Sequence, residues 1–297
     1  MTASKISVIA IASALAIACS KPEARSDTQS ETTNKERPFS GRKLELFVGA
    51  ASKPATEDAV AAFERETGAA LEVQFGGSGK MLSQMKLAER GDIYFPGSSD
   101  YMELAKNQGL VDGATEQRVV YLVPAINVQR GNPKSIKSLD DLGKPGMRVG
   151  IARPDTVCVG LYAVELLEVT KTAEKIKPNI VTHADSCEKA AQLVSLHSVD
   201  AVIGWEVFEH WDSDHIETIY LPREQVTRIG YIPAAVGAKA REPDLAKAFI
   251  AFVMSPEGQA IYKKWGYLTS ADEARAKHAL PTTPVGGQWT LPDVWKQ

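Results

Sequence analysis

The sequence predicts an α/β protein of two lobes, each a mainly parallel sheet flanked by helices, with two crossing segments as the hinge. Three observations lead there. Short apolar runs of strand length alternate with amphipathic helical stretches from Leu44 onward. The alternation stops at Gly109 and restarts at Met147. Two extended apolar segments, Val119–Asn127 and Ile229–Ala238, lie where the chain would pass from one block to the other and back. A chain of 297 residues, 44% hydrophobic and 24% charged, is long enough for two cores. The expected boundaries are 43–123 plus 233–297 for a discontinuous first lobe and 124–232 for the second.

Taken in order, Leu44–Val48 is an apolar run that reads as a buried strand and leads into Gly49-Ala50-Ala51-Ser52. Thr56–Glu66 has a helical apolar face of Ala59, Val60, Ala62 and Phe63. Pro54 sits near its first turn, where a missing N–H costs nothing, and Gly68 ends it. Leu71–Phe75 is the next strand, Gly76-Gly77-Ser78-Gly79 a tight loop, and Lys80–Ala88 a helix. Asp92–Phe95 and Tyr101–Asn107 repeat the pattern. In the second block Met147–Ile151, Ile180–His183 and Ala201–Trp205 read as strands. Val159–Val169 and Ser186–Leu196 read as helices, with Asp185 or Ser186 as cap. Pro243–Met254 and Glu257–Trp265 are helices expected to return to the first lobe.

The N-terminus carries a different signal. Lys5 precedes an apolar run from Ile6 to Ala18, 13 residues that are too few for a permanent span. A basic start, a short apolar core and small residues before a cleavage point form a secretory signal. Leu15-Ala16-Ile17-Ala18-Cys19 resembles a bacterial lipobox, which makes Cys19 the expected lipidation site and residues 1–19 the signal peptide. Residues 20–42, rich in Ser, Thr, Glu, Lys and Pro, read as a disordered tether. Its root-mean-square span would be roughly 25 Å.

The chemistry is expected in the turns. Ser52 and Ser78 each follow a strand and precede a helix, and Val159 and Cys187 hold equivalent positions in the second block. Backbone N–H groups at a helix start lack intrahelical partners, and the helix dipole adds positive potential there. In parallel sheets ligands bind at the carboxyl ends of the strands. Four such turns facing one cleft would bind a small dianion without arginine or lysine. The formal net charge is −3 and no basic stripe appears, which argues against a nucleic-acid partner. Gly79-Lys80 lacks the earlier glycine and the following Ser or Thr of a P-loop, since Gln74 and Met81 stand there. His210 and His215 flank Asp212 and Asp214, a pattern that suits a solvated loop better than a metal site.

These turns resemble those of the periplasmic molybdate-binding proteins of ABC transporters. The matching stretches are Phe47–Ser52, Phe75–Gly79, Gly91–Tyr94, Pro154–Ala163 and Ala201–Trp205, and the likeness covers roughly Leu44 to Leu268. The resemblance implies a two-lobed binding-protein fold, a lipid-anchored monomer in the periplasm, a membrane permease as partner and no cofactor. It implies that Ser52 and Ser78 hold a molybdate- or tungstate-like oxyanion with their hydroxyls, helped by the backbone N–H groups of Val159 and Cys187. The family's tyrosine donor is replaced here by Trp205, whose indole N–H can give one hydrogen bond.

Cys158 and Cys187 occupy positions where family members often carry Pro and an aliphatic residue. Both are expected at the second lobe's rim of the cleft. Export to an oxidising compartment makes a disulfide between them the leading expectation. It would close a loop of 28 intervening residues, worth roughly 3–4 kcal/mol. Two unpaired buried thiols, or a pair of soft ligands for a thiophilic oxyanion, are the alternatives. Two other functions fit the same pocket: a cysteine-dependent enzyme, with His183 four residues before Cys187, and an anion-sensing lipoprotein. No enzymatic role is expected, because neither cysteine has an adjacent base.

Overall fold

The computed structural model describes residues 37–296. The signal peptide, Cys19 and residues 20–36 of the expected tether lie outside the described residues. The tether's last part does not behave as one. Phe39 donates its N–H to Thr67 O at 3.0 Å and its ring stacks on Phe63, with centroids 6.4 Å apart. Arg42 pairs with Glu242. One aromatic ring, backbone hydrogen bonds and an ion pair together bind residues 37–42 to the first lobe.

Ten strands form two five-stranded sheets among the described residues. The first holds β1 (Lys43–Gly49), β2 (Ala70–Gly76), β3 (Ile93–Phe95), β4 (Gln117–Leu122) and β10 (Gly230–Val236), in the order β2-β1-β3-β10-β4. The second holds β5 (Pro124–Gln129), β6 (Val149–Ala152), β7 (Ile180–Ala184), β8 (Ala201–Trp205) and β9 (Ile216–Tyr220), in the order β7-β6-β8-β5-β9. Both sheets are mixed. In each, one strand runs against the rest: β10 in the first and β5 in the second. Those are the strands that enter a lobe from the crossing. The other strands point their carboxyl ends at the seam, so a strand that starts there must run the other way.

Helices cover the sheets. In the first lobe they are α1 (Lys53–Thr67), α2 (Ser78–Ala88) and α3 (Ser99–Asn107). In the second they are α4 (Cys158–Val169) and α5 (Cys187–Ser195). After β10 come α6 (Pro243–Met254), α7 (Pro256–Lys264) and α8 (Ala271–Lys277). α1 starts with Pro54 in its first turn and stops where Gly68 turns left-handed at φ 74°, its N–H reaching Glu64 O. Its apolar face meets α6 through an edge-to-face pair, Phe63 and Phe249, with centroids 5.3 Å apart. α4 is apolar on nearly every side and is buried from Cys158 to Leu167. α5 is capped by Ser186, whose Oγ accepts the Lys189 N–H. No helix among the described residues is long and apolar enough to cross a membrane.

The chain passes between lobes at Val123 and again between β9 and β10. At the first crossing Val123 and Glu206 exchange hydrogen bonds: Glu206 Oε2 accepts Val123 N–H at 2.7 Å, and Val123 O accepts Glu206 N–H. Near the second, Arg228 binds Asp100 of α3 and Glu165 of α4, one partner from each lobe. The C-terminal stretch departs from its expected place in the first lobe. Its middle touches α3, where Ser99 Oγ donates to Gly287 O and Trp289 N–H to Asp100. Its end packs into the second lobe's core, with Trp295 Nε1 on Glu168 Oε1 at 2.6 Å. Trp289, Leu291 and Trp295 are apolar side chains that find cover across the seam. β9 was masked in the sequence by the charged run before it, Asp212 to His215, which reads as loop.

Candidate functional site

The turns expected to carry the chemistry meet on the seam. Ser52, Ser78, Val159, Cys187 and Trp205 are each no more than 1% exposed, and so is Cys158. Their burial comes from direct contact between the lobes. Gly79 N–H donates to Thr156 O at 2.9 Å, and Lys53 Nζ binds Glu188 Oε1 at 2.7 Å. Gly77 lies so close to the second lobe that a Cβ there would sit 2.9 Å from Thr156 O and 3.0 Å from Asp185 O.

Each serine is oriented by its own lobe. Ser52, just before α1, accepts the Thr56 hydroxyl at 3.0 Å, and Thr56 is shared with the Tyr262 hydroxyl at 3.0 Å. Ser78, the first residue of α2, accepts the Gly97 N–H at 3.0 Å. A hydroxyl that accepts still owns its hydrogen; that of Ser78 faces the Cys158 sulfur across the seam. Gly97 is at the centre of the cluster: a Cβ on it would meet Cys158 Sγ at 2.5 Å and Ala51 Cβ at 2.7 Å. Only a glycine leaves room for the thiol. Gly97 and the neighbouring Ser98, whose Oγ is buried without a partner, form a third strand-to-helix turn in the first lobe. The sequence reading passed over them, although Pro96-Gly97-Ser98-Ser99 stands between a strand and a helix as Ser52 and Ser78 do.

On the second lobe Cys158 and Cys187 begin α4 and α5, and their sulfurs are 3.6 Å apart. Both are free thiols in this structure. A disulfide holds its sulfurs at about 2.05 Å. Burial raises the Cys158 thiol, but the polar hydrogens of Cys187, Ser78, Trp205 and Val159 around the sulfur outweigh it and bring the pKa below its usual value. Burial pushes the Cys187 thiol well up, and Cys158 holds it there. Cys158 is therefore the more acidic of the two. Trp205, the last residue of β8, lies edge-on to Tyr162 with centroids 4.8 Å apart. Its Nε1 is buried beside the sulfurs without a well-directed hydrogen bond. The Arg228 guanidinium lies over the Tyr162 ring, 3.8 Å from its centroid.

His183 has Arg153 and Asp155 as its electrostatic neighbours, and burial lowers its pKa first of all. It is not set up as a base for either cysteine. His215 pairs with Asp212 at 2.7 Å, and no group of three metal-type ligands occurs among the described residues. A surface groove of about 300 Å³ lined by Lys53, Glu57, Glu188 and Trp211 lies at the outer edge of the seam, between α1 and α5. It is separate from the enclosed cluster.

Two mixed α/β lobes joined by two crossings, with helix starts facing each other on the seam, are the architecture of a two-lobed solute-binding protein. The chain belongs to the bacterial extracellular solute-binding protein family, which residues 44–268 match. A putative binding protein of Haemophilus influenzae is 25% identical over 233 residues, 76% of this chain and 90% of that protein. The molybdate-binding protein ModA of Escherichia coli is 22% identical over 232 residues, 76% of this chain and 88% of its own. The sulfate-binding protein SubI of Mycobacterium tuberculosis shares the fold at a TM-score of 0.67 and 18% identity, covering 82% of this chain and 94% of that one.

Proposed function

We propose that this protein is the periplasmic receptor of an ABC importer, tethered through a lipid at Cys19, and that it delivers a tetrahedral oxyanion, molybdate or tungstate, to a membrane permease without catalysing a reaction. The observation that carries the reading is the pair of seam serines. Ser52 and Ser78 both accept a hydrogen bond from their own lobe, so each hydroxyl hydrogen can turn to a ligand, that of Ser78 by leaving the Cys158 sulfur. Backbone N–H groups at the starts of α4 and α5 supply donors from the opposite lobe. A cluster of donors with no cation suits a dianion that must be released again to a transporter. Hydrogen bonds to a charged group contribute about 1.5–3 kcal/mol each. Micromolar affinity needs about 8 kcal/mol, so five to seven donors suffice after association costs. Monohydrogen phosphate is disfavoured where it meets donors only, because its proton needs an acceptor.

Titration calorimetry with molybdate, tungstate, sulfate and phosphate tests this. One-to-one binding of molybdate or tungstate, with weaker or no heat from sulfate and phosphate, is expected. Absence of both heat and thermal shift with molybdate and tungstate would overturn the reading. Tight binding of sulfate alone would keep the receptor and change its cargo.

A further inference from the structure

We propose that the dithiol Cys158–Cys187 gives this cleft a second ligand class, trivalent thiophilic oxyacids of the arsenous-acid type, captured by both sulfurs at once; the proposal rests on reading the lobe seam as the ligand cleft. The sulfurs are 3.6 Å apart and both side chains are buried. Two sulfurs bonded to one central atom at about 2.3 Å, at the angle of about 100° of a pyramidal trivalent centre, lie about 3.5 Å from each other. The observed spacing matches that arrangement, and it is too long for a disulfide. The two residues open different helices, α4 and α5. Packing of those helices on the second sheet therefore sets the spacing, not the conformation of one loop.

The hard-oxyanion reading leaves these side chains unexplained. Backbone N–H donors at Val159 and Cys187 work equally well under any side chain, so nothing in molybdate binding calls for sulfur. Sulfur is what a soft, thiophilic centre selects. No third Cys, His, Asp or Glu joins the pair among the described residues. Protein zinc sites use three or four such ligands. The pair instead suits a centre that takes two sulfurs and retains an oxygen of its own. Arsenous acid does so: two As–S bonds form, two As–O bonds break, and the two thiol protons leave with the departing hydroxyls as two waters. Arsenic stays trivalent, so no oxidant or reductant is needed. The hydroxyl that remains has polar neighbours. The Ser78 hydroxyl lies beside Cys158, and the Trp205 Nε1 is buried there with no well-directed partner.

The test uses the reduced full chain with sodium arsenite, read by native mass spectrometry and by thiol alkylation in parallel. Expected are one arsenic per chain, a mass gain equal to As–OH less two hydrogens, and protection of both cysteines from alkylation. Capture should be lost in Cys158→Ser and in Cys187→Ser, each checked for folding by its thermal melt; the alkylation of the unmutated chain stands whether or not those variants fold. Equal alkylation with and without arsenite would overturn the proposal. So would exported, unreduced protein in which the two sulfurs are already bridged and stay bridged in arsenite. Calorimetry with molybdate on the same sample separates the two readings. Molybdate heat without arsenite capture removes only this proposal, whereas arsenite capture without molybdate or tungstate heat supports it and removes the hard-oxyanion reading.

Discussion

Ser52 and Ser78 each accept a hydrogen bond from their own lobe, and in the proposed function each turns its hydrogen to the oxyanion. Replacing either hydroxyl removes one donor to a charged ligand but little packing. Ser52→Ala and Ser78→Ala are expected to weaken oxyanion binding by about 1–3 kcal/mol each, and Ser78→Ala also to lower the melting temperature, because the buried Gly97 N–H loses its acceptor. Calorimetry on the two variants checks this; unchanged affinity in both places the ligand elsewhere. Glu206 makes a different prediction. It is buried at the first crossing, and burial pushes its carboxyl up to about 8, against the Val123 N–H, which lowers it. From about the ordinary carboxylate value up to about 8 the folded chain holds a proton that the unfolded chain has lost. This contribution to stability is complete below the unfolded pKa and is lost as pH rises through the folded one. The slope is at most about 1.4 kcal/mol per pH unit. Glu206→Gln keeps an acceptor for Val123 without the proton. Its melting temperature should fall less between mildly acid and mildly alkaline pH than that of the parent; parallel curves would refute the assignment. The sequence marked the two serines because they follow strands and precede helices. It could not mark Glu206, because an acid beside Trp205 reads as solvated until its neighbours are known.

At the scale of elements, the second crossing depends on one side chain. Arg228 is buried between Asp100 of α3 and Glu165 of α4, and it stacks on Tyr162, which in turn supports Trp205. Burial raises the Glu165 pKa even with the guanidinium beside it, which shows how little solvent reaches the network. Arg228→Met would leave two buried acids without their cation. A loss of about 3–5 kcal/mol is expected in denaturant titrations, as for other buried pairs stripped of one partner. Adding Glu165→Gln to that variant should restore part of the loss; no restoration would mean that the arginine acts through packing alone. The helices themselves were legible, since Pro54, Gly68 and Ser186 mark ends that propensity and capping chemistry explain. α8 and the path of the C-terminal stretch were not, because a few apolar residues in a polar segment do not say which core they will join.

For the whole molecule, affinity should depend on how closely the lobes approach. Gly77 has an ordinary helix-entry backbone at φ −61°, so alanine fits its own lobe. Its Cβ would press on Thr156 and Asp185 across the seam. Gly77→Ala is therefore expected to leave the folded chain intact and to oppose contact between lobes. The cost should be about 1–3 kcal/mol, the usual penalty of overpacking, and it should appear in ligand affinity. Small-angle scattering should show the parent compacting with saturating oxyanion and the variant compacting less. Equal compaction in both would show that the seam adjusts around the added methyl.

By itself the sequence determined the α/β class, the two-block division, most helix and strand positions and the strand-to-helix turns that meet on the seam. These are local properties: apolar periodicity, capping residues, and glycine or proline at chain reversals. Only the tertiary structure decided that Cys158 and Cys187 stand 3.6 Å apart as thiols, that Gly97 clears a space for one of them, and that the C-terminal stretch crosses to the second lobe. Each depends on distances between segments remote in the chain. Those distances are set by how two sheets and their helices pack, and no local pattern encodes them.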